Sequence, residues 1–201
     1  ERCYSLYKAM KYITKGDILG DFVECGVWRG GSAMLAALTL IENQQTHRKI
    51  YLYDTYEGMP EPTDKDIDIH GVPYRLLWKK ENELLTVSLD EVKKNIFSTG
   101  YPKENIIFVK GMVQDTIPNT VPKQIALLRL DTDLYESTYH ELFHLYPKTT
   151  SQGVIIIDDY GHFQGSQEAT EKYLSQNPQK VLLHRIDYSC RVWIKPSPTQ
   201  K

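Results

Sequence analysis

The sequence predicts an α/β fold: a mostly parallel seven-stranded sheet with helices on both faces and a C-terminal antiparallel hairpin. Three observations predict it. Strand-like and helix-like segments alternate along the chain. The interior strand-like runs, such as "IIFV", "IALL" and "GVIII", are continuously apolar rather than alternating, the mark of parallel strands covered on both faces. Near the end, "KVLLHRID" and "CRVWIK" flank a turn-like "YS", which suits a hairpin closing the sheet edge.

Each element has its own signal. Residues 4–13 place Leu6, Tyr7, Met10 and Ile13 at helical spacing, an amphipathic helix that stops near Gly16. "DFVEC" is the first strand. After the turn "GVWRGG", Ser32 is the expected cap of a helix through Met34, Leu35, Leu38 and Ile41. "KIYLYD" is the second strand and ends on Asp54. A helix with a Ser88-x-x-Glu91 capping box and an end marked by Gly100 leads to the third strand, "ENIIFVKG". "QIALLRLD" is the fourth. A helix over residues 137–146 precedes the fifth, "GVIIIDD", and a helix over residues 167–175 precedes the hairpin.

The 201 residues give one domain with a substantial core and are too few for two ordinary ones, so residues 1–201 read as a single domain. Residues 196–201 are expected to form a loose tail. Residues 55–85 break the pattern of short connections, being rich in charge with Pro60, Pro62, Gly71 and Pro73. Connections beyond about 12–15 residues are uncommon unless they are lids, binding loops or disordered, so this one reads as a lid or substrate loop.

Composition narrows the partners. With 24 Lys and Arg against 26 Asp and Glu, and no basic block, nucleic acid is not expected. Three cysteines without a CxxC pair suggest neither a disulfide framework nor a zinc site, and a reducing cytoplasm fits them. The longest apolar stretch, residues 33–41, is far short of a membrane span, and no signal-peptide pattern opens the sequence, so no membrane partner is expected.

Ligands of open α/β sheets bind beyond the carboxyl ends of the strands. Here four strands end in acids: Glu24, Asp54, Asp131, and Asp158 with Asp159. The first turn, "ECGVWRGGS", lacks the second glycine of the dinucleotide fingerprint, because Trp28 stands there. Its acid-x-Gly-x-x-x-Gly spacing suits S-adenosylmethionine instead, with Glu24 available to the ammonium group and Asp54 to the ribose hydroxyls. Gly26, Trp28, Arg29, Gly30, Ser32, Gly111 and Asp131 complete the cofactor-binding candidates.

If the fourth and fifth strands are neighbours, Asp131, Asp158 and Asp159 emerge side by side, and three close carboxylates repel unless protonated or neutralised by a cation. Oxygen ligands from strand ends suit magnesium, or another divalent cation. Asp133 lies beyond the strand end, free to act as general base toward an acceptor hydroxyl; the competing reading is a cap for the following helix. Arg129, inside an apolar strand, is expected to pair with a buried acid. Tyr135, Tyr160 and His162 are weaker candidates for orienting a substrate, and Cys25 reads as a small buried residue.

Four blocks, "GDFVECGVWRGGS", "YLYDTYEGMP", "LLRLDTDLYEST" and "GVIIIDDYGHFQG", together resemble the macrocin O-methyltransferase family, which includes mycinamicin and novobiocin sugar methyltransferases. The resemblance runs in order over residues 16–171. It implies a Rossmann-like class I fold and a magnesium-dependent transfer of a methyl group from S-adenosylmethionine to a sugar hydroxyl, on a glycoside or other glycosylated natural product. It also implies Asp131, Asp158 and Asp159 as metal ligands, Asp133 as base, residues 55–85 as a lid, and a homodimer, to which Tyr4, Leu6 and Tyr7 of the first helix are candidate contacts. Thr132 departs from the glycine often found between the two acids. Rival readings are a catechol or phenol O-methyltransferase using the same metal logic, a non-catalytic module that binds S-adenosylmethionine, and a metal-dependent phosphohydrolase.

Overall fold

The structure, a computed structural model, describes residues 1–177 and 180–197. In chain order its elements are α1 (Arg2–Lys15), β1 (Asp21–Cys25), α2 (Gly31–Glu42), β2 (Ile50–Asp54), α3 (Arg75–Leu85), α4 (Leu89–Phe97), β3 (Ile106–Lys110), α5 (Val113–Thr116), β4 (Ile125–Leu130), α6 (Tyr135–Leu145), β5 (Thr149–Ile157), α7 (Gln164–Gln176), β6 (His184–Arg185) and β7 (Arg191–Ile194). They build a seven-stranded sheet in the order β3-β2-β1-β4-β5-β7-β6. Pairing is parallel from β3 to β5, β7 joins β5 antiparallel, and β6 pairs antiparallel with β7 as the hairpin signal predicts, although only His184–Arg185 of the expected strand "KVLLHRID" pair.

The apolar runs become strands because both of their faces are covered. All six residues of β4 are buried. On one face Leu6, Met10, Ala33, Ala37, Val92 and Ile96 from α1, α2 and α4 meet Phe22, Leu52 and Leu127. On the other, Leu142 and Leu145 of α6, with Tyr173 and Leu174 of α7, cover Val23, Leu128 and Ile155. Full burial of such a side chain contributes about 1.5–3 kcal/mol. Leu6 therefore belongs to this chain's own core, leaving Tyr4, 67% exposed, as the accessible apolar group nearest the start of α1.

Several local expectations are corrected. Ser32 does not cap α2: the cap is Gly30, whose φ of 83° starts the helix earlier and leaves Ser32 in its first turn. Ser88 does cap α4, accepting from Glu91 N at 3.3 Å. β5 begins at Thr149, because a register shift opposite β4 admits extra residues before the run Val154–Ile157. Residues 75–85 of the expected lid loop form a helix, α3, although none of its residues is buried. Residues 198–201 of the expected loose tail lie outside the described residues. Among the described residues, no helix is long and apolar enough to cross a membrane.

Candidate active site

The chain runs from β1 outward to β3 and then returns to place β4 on the other side of β1. At that reversal, beyond the carboxyl ends of the strands, lies a cavity of about 530 Å³. Of the predicted cofactor residues, Gly26, Trp28, Ser32, Asp54, Gly111 and Asp131 line it, as do Asp133, Asp158 and Asp159. Glu24, Arg29 and Gly30 do not. Glu24 stands behind Arg129, and Gly30 faces α4, where a Cβ would come within 3.1 Å of Ile96 Cγ1. Arg29 is exposed, its guanidinium 5.4 Å from the centre of the Trp28 indole.

The glycine turn owes its first glycine to the protein itself. Gly26 has a φ of 81°, and a Cβ there would sit 1.9 Å from the Asp131 carbonyl oxygen. Trp28 follows with a φ of 46°, an uncommon conformation for a bulky residue. Asp54 stabilises it: Oδ2 accepts from Val27 N at 2.7 Å and Trp28 N at 3.1 Å, while Oδ1 accepts from Tyr56 N at 2.7 Å. One carboxylate thus fastens the turn after β1 to the start of the segment that follows β2.

Arg129 is the buried hub of the site. Its Nη1 donates to Glu24 Oε1 at 2.8 Å and to Asp131 Oδ2 at 2.7 Å, and its Nη2 donates to Asp158 Oδ1 at 2.7 Å. The other Asp158 oxygen meets Arg2 of α1, whose Nε also donates to Asp187 at 2.7 Å. Desolvation pushes the Glu24 carboxyl up to about 8 despite the opposing pull of Arg129. Its Oε2 is buried without a hydrogen-bond partner.

Next to this network, carboxylate oxygens of Asp131, Asp133 and Asp159 all lie within 4.8 Å of one another. Asp158, expected among them, is instead turned into its ion pairs with Arg129 and Arg2. Asp159 Oδ2 is buried and accepts no hydrogen bond. Asp133 has a φ of 64°, and Leu134 N donates to Thr132 O at 2.7 Å across it, so the residue is the centre of a tight three-residue turn. Burial pushes its carboxyl up to about 7, with Asp131 and Asp158 adding to the shift. The same desolvation raises Asp131, and raises Asp159 well above the usual carboxylate range, with the charge of Asp133 as the next cause. Asp133 caps no helix, since α6 begins at Tyr135 with Leu134 as its N-cap residue.

Sequence reasoning missed other parts of the site. Met59, Pro60 and Leu85 bring the 55–85 segment onto the cavity wall, and Met112, Val113 and Gln114 continue it past Gly111. Thr132 donates to both oxygens of Glu141 at 3.0 and 3.1 Å, and Glu141 is fully buried. Its signal was present: Glu141 falls at helical spacing with Thr138, Leu142 and Leu145 on the buried face of α6. Tyr160 and His162 line a separate depression beside Gln167 and Glu171, and Tyr135 is buried with its hydroxyl accepting from Lys172 Nζ at 3.0 Å, so none of the three reaches the aspartates' cavity. Cys25 is buried, as expected, and burial raises its thiol.

Comparisons with known proteins agree on kinship. Residues 1–195 match the model of the Macrocin-O-methyltransferase (TylF) family. The chain is 35% identical over 193 residues to 8-demethyl-8-(2,3-dimethoxy-alpha-L-rhamnosyl)-tetracenomycin-C 4'-O-methyltransferase of Streptomyces olivaceus, covering 96% of this chain and 72% of that protein. It is 31% identical to mycinamicin III 3''-O-methyltransferase of Micromonospora griseorubida, covering 96% and 75%. Among solved structures, the O-methyltransferase NovP superposes with a TM-score of 0.87 at 28% identity, over 98% of this chain and 80% of that one. An O-methyltransferase from Bacillus cereus, 11% identical with a TM-score of 0.59 over 96% of this chain and 81% of that one, shares the fold. That fold is the Rossmann-like class I methyltransferase fold. The chain belongs to the macrocin-O-methyltransferase family and is, by that membership, an O-methyltransferase.

Proposed function

We propose that this enzyme uses S-adenosylmethionine and a divalent cation to methylate a sugar hydroxyl of a glycosylated natural product. The observation that carries the reading is that one cavity joins the Asp54-fastened glycine turn to the cluster of Asp131, Asp133 and Asp159. Relatives named for methylation of a rhamnosyl tetracenomycin and of mycinamicin support the acceptor class.

The roles follow from placement. Asp54 lies where strand-end acids accept from ribose hydroxyls, and Gly111, Met112 and Val113 offer a largely apolar wall for a base. Glu24 acts by fixing Arg129 rather than by touching the methyl donor. Asp133 takes the acceptor proton: it faces the same cavity as Asp131 and Asp159 and caps no helix, which leaves its carboxylate available for the task. Bound S-adenosylmethionine would supply its methyl group to the acceptor oxygen, the carbon–sulfur bond breaking with loss of the sulfonium charge. Residues 55–85 exclude water and align the reactants.

The donor set fits a hard divalent ion such as magnesium: carboxylate oxygens only, clustered, with Asp159 Oδ2 lacking a partner. Asp131 and Asp159 would hold it, and Asp158 would join them only on leaving its arginines. An ion held there would supply positive charge that offsets the repulsion within the cluster. We also propose a cytoplasmic homodimer. The free cysteines suit a reducing compartment, and Tyr4 is the contact offered by α1.

The test is transfer of labelled methyl from S-adenosylmethionine to a panel of glycosides and simple catechols, with and without a chelator. Label should enter the sugar of at least one glycoside and fall when the cation is removed. Labelling of catechols alone would overturn the acceptor class, and chelator-insensitive turnover would overturn the cation.

A further inference from the structure

Asp133 owes its direction to the tight turn between β4 and α6, and that turn is supported from a distant part of the chain. Helix α6 has Leu134 as its N-cap residue, which offers no side-chain acceptor to the first amides. The missing acceptor comes from residue 66. Asp66, 1% exposed, accepts from Tyr135 N through Oδ1 at 2.8 Å. Its Oδ2 accepts from Thr63 N at 2.7 Å and Thr63 Oγ1 at 2.8 Å.

The niche is shaped for this contact. Gly165, in the first turn of α7, leaves room that a Cβ would fill at 2.7 Å from Asp66 Oδ1 and 3.2 Å from the Lys65 carbonyl oxygen. The Asp66 backbone is itself held within residues 55–85, its carbonyl accepting from Tyr74 N at 2.8 Å and its N–H donating to Thr63 O at 3.1 Å. A carboxylate at a helix N-terminus is also favoured by the helix dipole. Tyr135 is two residues from Asp133, so whatever anchors the Tyr135 amide anchors one end of the catalytic turn.

We propose that Asp66 is a positioning residue through which the docked 55–85 segment aims Asp133, so that covering the acceptor and directing the base are a single event. This rests on Asp133 being the base. Without Asp66, the segment would still cover the cavity with Met59, Pro60 and Leu85, but α6 would start without its cap.

Asp66→Ala, Asp66→Asn and Gly165→Ala test this in the full chain. In Asp66→Ala, amide exchange in a peptide spanning Thr132 to Thr138 should rise about 10-fold, as expected for a lost cap. Its kcat should fall by about 10-fold or more through loss of alignment, while affinity for S-adenosylhomocysteine stays within about 2-fold of wild type. Asp66→Asn keeps an oxygen for Tyr135 N and should recover part of the kcat. Gly165→Ala perturbs the same contact from the other side: the added Cβ crowds Asp66 and should lower kcat, while the helix preference of alanine over glycine offsets part of the loss in melting temperature. Wild-type exchange over Thr132 to Thr138 in Asp66→Ala, or wild-type kcat in both Asp66→Ala and Gly165→Ala, would overturn the proposal. Near-normal turnover in Asp133→Asn would instead overturn the role of Asp133, a separate failure because the exchange measurement needs no turnover.

Discussion

Around Arg129 the carboxyl edge of the sheet gathers Glu24, Asp131 and Asp158 against the guanidinium groups of Arg129 and Arg2, with Asp133 and Asp159 beside Asp131, whereas residues 55–85 bury no side chain of α3. That segment holds itself mainly with carboxylates accepting from backbone: Asp66 as described, and Asp68 from His70 N at 2.8 Å and Val72 N at 2.9 Å. Its apolar anchors among the described residues are Tyr56, which joins the main core where the segment leaves β2, and a small cluster of Tyr74, Leu134 and Phe163, with Met59 and Trp78 beside it. The difference separates two jobs. A buried charge network is intolerant of any lost partner and so fixes geometry, while a helix with no buried side chain adds little apolar burial to the stability of the sheet.

The largest effect should come from Arg129→Leu, which leaves Glu24, Asp131 and Asp158 without their shared cation; breaking such a buried pairing costs about 3–5 kcal/mol. Urea unfolding measures it, and a loss below about 1 kcal/mol would show that the network is not what fixes this edge. Asp133→Asn comes next. It should lower turnover by about 100-fold or more while leaving affinity for S-adenosylhomocysteine unchanged. Near-normal turnover would remove Asp133 from its role.

A third effect depends on pH. Asp133, ordinarily near 3.8, is pushed up to about 7 in the fold, and Glu24, ordinarily near 4.5, up to about 8. Between those limits the folded state binds more protons than the unfolded chain, so these groups favour folding at low pH and that advantage is lost as pH rises from about 4 to about 8. The melting temperature of chelator-treated protein should therefore fall over that window, and added magnesium should reduce the fall. A melting temperature that rises over the same window would contradict the buried, repelling cluster. The smallest effect belongs to the covering segment: Leu76→Ser on α3, 70% exposed, should change global stability by no more than about 0.5 kcal/mol. A loss several times larger would erase the contrast between the two regions.

The same contrast explains what could be read from the sequence. The strands were legible because both faces are buried and their apolar runs are continuous, and the acids were legible because each ends such a run at the edge where ligands bind. Helix α3 was not, since its leucines share the helix with lysines and glutamates and no face is buried. Ser32 placed the helix start two residues too late, because hydroxyl preference gave no hint of the positive φ at Gly30. Asp158 joins its arginines rather than the other aspartates, a choice of side-chain direction that strand-end position does not determine. Asp66 meets Tyr135 across 69 residues, so no local pattern announced it.

Calorimetric titration of S-adenosylhomocysteine into the protein with magnesium present tests most directly whether the cavity at β1 and β4 is a methyl-donor site. The account predicts saturable one-to-one binding. A well-folded sample that binds none would contradict it.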